Sequence, residues 1–416
     1  MTRTSEADQA LKQREQRLLD AIELRVPDRI PIAATFDYFP AKYTGITTET
    51  AFYDAKKWKA AAAKTLVDFA PDTYFIAVMV PGKALEALGC RQLLIPGHGL
   101  PCDSGHQFVE DEYMKADELA AFLEDPSDFA VRTYLPRIFS AFAPLQKLPR
   151  LSRMIWGYGE IGAVEMLTNP EFTEMFEAIA RAGREFQAWN KDMGSFGQEM
   201  EDLGFPPFSV ALTQAPYDWL PDFLRGMKGS MLDLFRQPNK VLEACEKLLP
   251  VMIEKAVATA KESGNPRVFI PLHRGSDGFM SLKQFETFYW PTLKKLCMAL
   301  IEEELIPWIF FEGDYTSRLE YLLELPKGKV LAHLDRTDIF RAKKILGNHM
   351  CILGNVPASL LQTGTKEGVI RYTRHLIDTV GKDGGYIMAC RSPMDETDPE
   401  LVKTWMDCTR EYGRYR

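Results

Sequence analysis

Short apolar runs alternate with amphipathic segments along most of this chain. From about Leu203 onward the rhythm is regular. "PPFSVAL", "RVFIPLH", "PWIFFEGD", "KVLAHLD", "MCILGNV" and "GGYIMAC" each read as a strand buried on both faces. Helical segments stand between them. A break at Pro238 precedes a long helix, Ser281 caps another that breaks at Pro291, and a last helix starts near Asp398. Strand–helix alternation implies parallel strands joined by right-handed crossovers. So many consecutive units predict an α/β fold of the (β/α)₈ TIM type rather than a doubly wound open sheet. No G-x-G-x-x-G follows a strand to support a dinucleotide site.

The first part is less regular. "RIPIAATF" and "DTYFIAVMV" read as strands. Residues 1–25 carry a helical rhythm through Leu11, Leu18, Leu19 and Ile22, an N-terminal helical extension. From about 97 to 153 turns and short helices mix, which predicts an inserted cap over the mouth of a distorted barrel. The expectation is one domain spanning residues 1–416.

Composition changes this picture little. With 416 residues, 46% hydrophobic and 26% charged, the chain is ordinary for a globular protein. The net charge of −8, with no dense basic tract, argues against nucleic acid or an anionic membrane as partner. No run approaches the roughly 20 apolar residues that span a bilayer. The N-terminus lacks a signal-peptide core, so the expected compartment is the cytoplasm. The seven cysteines form no C-x-x-C pair, so any metal site must be assembled from distant segments.

Side chains at the C-terminal ends of barrel strands face the active site. Those ends carry His273, Glu312, His333, Asp335, Asn355 and Cys390, with Asp37 and Gln214 on earlier strands. Two histidines, a glutamate and a cysteine suit zinc, which takes three protein ligands in catalytic sites and keeps one position open. Each has a plainer reading. His273 could be a hydrogen-bonded loop residue, His333 a core histidine, Glu312 a partner of Arg318, and Cys390 an inert small hydrophobe. "HRGSDGFMS" adds Arg274 and Asp277 as polar groups and Phe279 as an apolar wall. "FDYFPAKYTG", with Asp37, Tyr38 and Phe39, suits an aromatic substrate face or, equally, a core.

Several segments resemble the uroporphyrinogen decarboxylase superfamily, which includes zinc-dependent, corrinoid-linked methyltransferases. They are "RVPDRIPI", "GFMSLKQFETFYWPTLKKL", "PWIFFEGD", "AKKILGNHMCILGNVPASLLQTGTKEGV" and "GGYIMACRSPMDETDPELVKTWMDCTREYG". The resemblance implies a distorted (β/α)₈ barrel. True decarboxylases carry arginines just after the first strand to grip porphyrinogen carboxylates. Here that place reads "AATFDYFPAKYTG", without arginine. The methyltransferase branch binds zinc through His-x-Cys and a later Cys. Here Phe310-Phe311-Glu312 stands at the His-x-Cys position and Cys390 near the last Cys. The resemblance thus implies a metal set of Glu312 and Cys390, with His333 or His273 replacing the missing histidine. The departure at Phe310 argues against a coenzyme M-type acceptor.

The expectation is a methyltransferase moving a methyl group between a methylated small molecule, such as a methoxylated aromatic, and a separate corrinoid protein. No D-x-H-x-x-G cobalamin motif occurs in this chain, so the corrinoid would come from that partner. Glu312, His273 and Asp277 are the expected catalytic groups, and Glu312, His333 and Cys390 the expected zinc ligands. Asp37, Tyr38, Phe39, Arg274, Phe279 and Asp335 are expected to bind substrate. The alternatives are a cofactor-independent decarboxylase of an organic acid and a non-catalytic barrel that binds a small molecule or a corrinoid.

Overall fold

The apolar runs become strands of one sheet in a computed structural model, which describes residues 4–76, 80–150, 152, 161–391 and 393–415. The strands are β1 (Ile32–Thr35), β2 (Thr73–Phe75), β3 (Leu93–Pro96), β4 (Gly99–Leu100), β5 (Gln107–Phe108), β6 (Ala211–Leu212), β7 (Arg267–Leu272), β8 (Ile306–Phe311), β9 (Leu331–Leu334), β10 (Cys351–Leu353) and β11 (Tyr386–Ala389). Eight of them form a sheet in the order β2-β1-β11-β10-β9-β8-β7-β6. The pairs are parallel throughout. The sheet curls until its two edge strands approach each other. Phe208 N donates to Tyr74 O at 2.9 Å, and Tyr74 bridges Pro207 in parallel. The result is a TIM-type barrel. Part of the segment expected to continue β2, residues 77–79, lies outside the described residues, as do 151 and 153 at the end of the expected cap.

The pleat divides the strand residues between two cores. Ala33, Trp308, Leu331, Leu353, Ile387 and Ala389 point into the barrel. Their neighbours Ala34, Ile309, Ala332, Ile352 and Met388 point into the layer beneath the helices. Successive side chains on a strand alternate between faces, so this phase also assigns the residues beyond each strand. It puts His273, Glu312, Asp335 and Arg391 on the lumen side of the mouth.

The N-terminal helix, Ser5–Ile22, closes the other end. Thr4 caps it by accepting from Ala7 N at 3.2 Å. Leu18, Ala21 and Ile22 are fully buried against the lumen residues. Burying a leucine or isoleucine contributes roughly 1.5–3 kcal/mol, so this extension is part of the barrel floor. Arg17 fixes it further through Asp28 at 2.6 Å and Asp72 at 2.5 Å.

β6 is shorter than the sequence predicts. Pro206 and Pro207 lack the amide hydrogens a longer strand would pair. The inserted cap includes β3–β5 and begins a few residues before 97. It is tied to the barrel by Met114 N donating to Leu224 O at 2.6 Å and Arg225 Nη1 donating to Met114 O at 2.6 Å. Among the described residues, no helix is long and apolar enough to cross a membrane.

Candidate active site at the barrel mouth

His273 is the first residue past β7 and faces the lumen. Its backbone is held by Asp218, which lies in a helical turn after β6. The Asp218 carboxylate accepts His273 N at 2.9 Å, Arg274 N at 3.0 Å and Tyr289 OH at 2.6 Å. Asp218 is fully buried, and burial pushes its carboxyl up to about 6 despite the opposing charge of His273.

The imidazole is held by a second carboxylate one helical turn on. Asp222 Oδ2 bonds His273 Nδ1, and Asp222 Oδ1 lies 3.3 Å from Arg274 Nη2. On the other side, His273 Nε2 stands 3.6 Å from Glu312 Oε2. Burial alone would lower the histidine pKa. The bond to Asp222 and the charges of Asp222, Asp218 and Glu312 outweigh it and raise it to about 9. His273 is therefore an imidazolium at neutral pH, with one N–H fixed and the other directed towards the cavity.

That cavity measures about 770 Å³ and opens to solvent. Phe108 and Val109 of the cap, with Phe223 and Phe279, give it apolar walls; His273, Arg274, Glu312, Asp335 and Arg336 give it charge. Gly313 has φ +95°, a conformation that favours glycine. A Cβ there would stand 3.4 Å from Ser276 Cβ. Gly313 N donates to Asp335 Oδ2 at 2.9 Å. Burial raises the Asp335 pKa, against that bond and the charges of Arg391 and Arg336.

Five residues expected at the site thus meet here: His273, Arg274, Phe279, Glu312 and Asp335. Glu312 differs from expectation in one respect. Its side chain is 56% exposed at the open mouth, although the run that ends in it reads as buried on both faces. Nor does it pair with Arg318. That guanidinium pairs with Asp277 and donates to Met280 O at 2.5 Å. Asp277 is thereby corrected from a catalytic candidate to a structural ion pair, also accepting Ser317 Oγ at 2.8 Å.

The expected zinc set does not come together. His333 lies one pleat below the mouth, with its ring tilted against Phe310 at 4.5 Å and stacked on Trp308 at 5.8 Å. Its Nδ1 accepts from Trp308 Nε1 at 3.3 Å and its Nε2 faces Cys390 O at 3.3 Å. Burial lowers its pKa to about 3, so it is a neutral core histidine. Cys390 packs in the layer beneath the helices, on the opposite face of the sheet from His333 and Glu312. The pleat forbids the three from sharing an ion without rebuilding β11. Among the described residues, no group of three or more His, Cys, Asp or Glu side chains is placed to hold a metal.

The aromatic segment after β1 is also corrected. Phe39 is fully buried, stacked with Phe36 at 5.5 Å and Tyr43 at 6.0 Å. Tyr38 is buried with its hydroxyl on His106 Nδ1 and its amide donating to Asp395 Oδ1 at 2.7 Å. Asp37 is half-buried, and burial plus the Asp395 charge push its carboxyl up to about 7. None of the three lines the cavity.

Sequence reasoning passed over Asp218 and Asp222. Their signal was present: two carboxylates four residues apart, in the helical turns that follow a strand.

Residues 211–412 match the family model described as uroporphyrinogen decarboxylase. No protein of curated function matches the chain in sequence. Among solved structures, a methyltransferase from Methanosarcina mazei is similar at a TM-score of 0.60 and 14% identity, covering 96% of this chain and 98% of that one. At that identity the likeness is one of fold. The chain resembles the uroporphyrinogen decarboxylase family over the segment that builds six of its eight barrel strands and the His273–Glu312 side of the mouth.

Proposed function

We propose that this protein is a methyltransferase that takes a methyl group from a methylated small molecule, of the methoxylated aromatic kind, and passes it to a separate corrinoid protein. The observation that carries the reading is the placement of His273, gripped at Nδ1 by Asp222 and facing an open cavity. Breaking a methyl–oxygen bond leaves an electron pair on oxygen, and an unprotonated alkoxide or phenoxide leaves poorly. A general acid must hold its proton at the working pH and yet give it up to the leaving oxygen in the transition state. His273 at about 9 lies near a phenolic leaving group, at about 10. Nε2 gives the proton to the departing oxygen, while Asp222 holds Nδ1 and stabilises the charged ring beforehand. Glu312 keeps the Nε2 side of the ring oriented and electrostatically favoured. The apolar walls at Phe223 and Phe279 border the path of the donor to His273. The corrinoid, when bound, supplies a reduced cobalt nucleophile that accepts the methyl group; the open mouth leaves it a way in. The fold shared with a methyltransferase agrees with this reading.

A decarboxylase has one observation in its favour: Arg274 and Arg336 line the same cavity and could hold a carboxylate. The test separates the two. The protein is mixed with chemically reduced cobalamin and a panel of methoxylated aromatics, and methylcobalamin formation is followed by absorbance. Methyl transfer that depends on His273 is expected. No transfer from any donor, together with carbon dioxide release from an organic acid panel, would replace this reading with the second.

A further inference from the structure

Beside the mouth, across Arg274 and Phe279, lies a second hollow of about 150 Å³. Tyr217, Met227, Leu234 and Met280 give it apolar walls, and Pro221, Arg274 and Phe279 are shared with the larger cavity. Met231 and Phe235 line it too, and they are 44% and 76% exposed, so they form its rim. Two polar atoms in its lining residues are buried without a hydrogen-bond partner: Oγ of Ser230 and Nε of Arg274. Ser230 is itself only 2% exposed. Buried polar atoms are nearly always satisfied, and exceptions ask for a reason. An apolar hollow of about 150 Å³ is the size that admits one benzene ring. Three methionines in the wall let it adjust to substituents.

We infer that this hollow is a binding site for a single aromatic ring that carries an oxygen acceptor. The ring packs against Phe279 and the methionines, and a turn of the Ser230 side chain about χ1 brings its buried, unpartnered hydroxyl to the oxygen of the ring. The assignment of that ring to the methyl donor rests on the methyl-transfer reading; the binding site does not. A ring seated here would carry its further substituents past Pro221 and Arg274 into the mouth, on the side of His273.

The test uses binding, not turnover. The whole protein is titrated with benzoate and with toluene, followed by ligand-observed NMR. Both are expected to bind in the millimolar range or tighter. Ser230→Ala should weaken benzoate roughly threefold to tenfold, the usual effect of losing one neutral hydrogen bond, and leave toluene unchanged. Met231→Trp, at an exposed rim position that tolerates a larger side chain, should fill the hollow and abolish both. Unchanged binding of both probes to Met231→Trp would overturn the proposal. So would a benzoate-to-toluene preference unaltered by Ser230→Ala, or the absence of binding to the native chain. Any of these leaves methyl transfer standing, whereas failed transfer with intact probe binding leaves the ring site standing.

Discussion

The Nε2 of His273 lies 3.6 Å from Oε2 of Glu312, a separation that a bound substrate atom or a small shift could close. Glu312 is exposed and the cation it faces is His273, so its removal is expected to be felt at the site more than in the fold. Glu312→Gln is expected to change stability by no more than about 0.5 kcal/mol, as exposed substitutions do. Methyl transfer should fall by roughly 10²-fold, in the range of a lost acid–base contribution. A melting curve and a single-turnover assay on the same preparation check both halves.

Asp277 and Arg318 behave in the opposite way. The Arg318 guanidinium is buried over the Phe285 ring at 5.0 Å and has Asp277 as its ion-pair partner. Asp277→Asn leaves that cation uncompensated and is expected to destabilise the protein by on the order of 3 kcal/mol. Transfer per folded molecule should be nearly kept. Urea unfolding, with activity normalised to the folded fraction, measures this.

His333 gives the protein an acid-sensitive core. Its folded pKa is about 3, against about 6.5 when unfolded. Above about pH 6.5 both states are neutral and the group adds no pH dependence. Below that, the unfolded chain takes up a proton that the folded chain refuses. Stability should then fall by about 1.4 kcal/mol per pH unit from this group alone. His333→Leu should flatten the slope between about pH 6.5 and 5 by that amount, in urea melts run at several pH values. Equal slopes in both proteins would return His333 to a solvated or ligand-bound setting.

Cys390 sits on the helix side of the sheet, away from Glu312 and His333. Cys390→Ser is accordingly expected to leave the zinc content of the purified protein, by elemental analysis, equal to that of the native chain. A selective loss of zinc in this variant would mean that β11 is rebuilt around a metal.

Much of the barrel was legible because apolar periodicity reports burial directly. The break at Pro238 and the Ser281 cap, which accepts Gln284 N at 3.2 Å, appear where the sequence puts them. The mouth was legible wherever a polar residue followed a long strand, as at His273 and Glu312. Asp218 and Asp222 escaped because they stand six and ten residues past the end of β6, in helical turns and not at a strand end. Cys390 was misplaced for a different reason. A parallel strand buried on both faces is apolar throughout. "GGYIMAC" therefore hides which alternate residues face the lumen, and only the pairing of β11 with β1 and β10 reveals it. Phe39 carries the same ambiguity, since an aromatic cluster reads alike as core or as substrate wall.

The charge on His273 is the centre of this account, and it is directly measurable. The chain is labelled with ¹³C-histidine, His273 is assigned by comparison with His273→Asn, and its Cε1 shift is followed against pH. Nε2 can serve as the proton donor only if the ring is still charged at neutral pH. The account predicts a midpoint near 9, falling towards about 6.5 in Asp222→Asn as the ring loses its main anionic partner. A midpoint at or below about 6.5 in the native protein would contradict it.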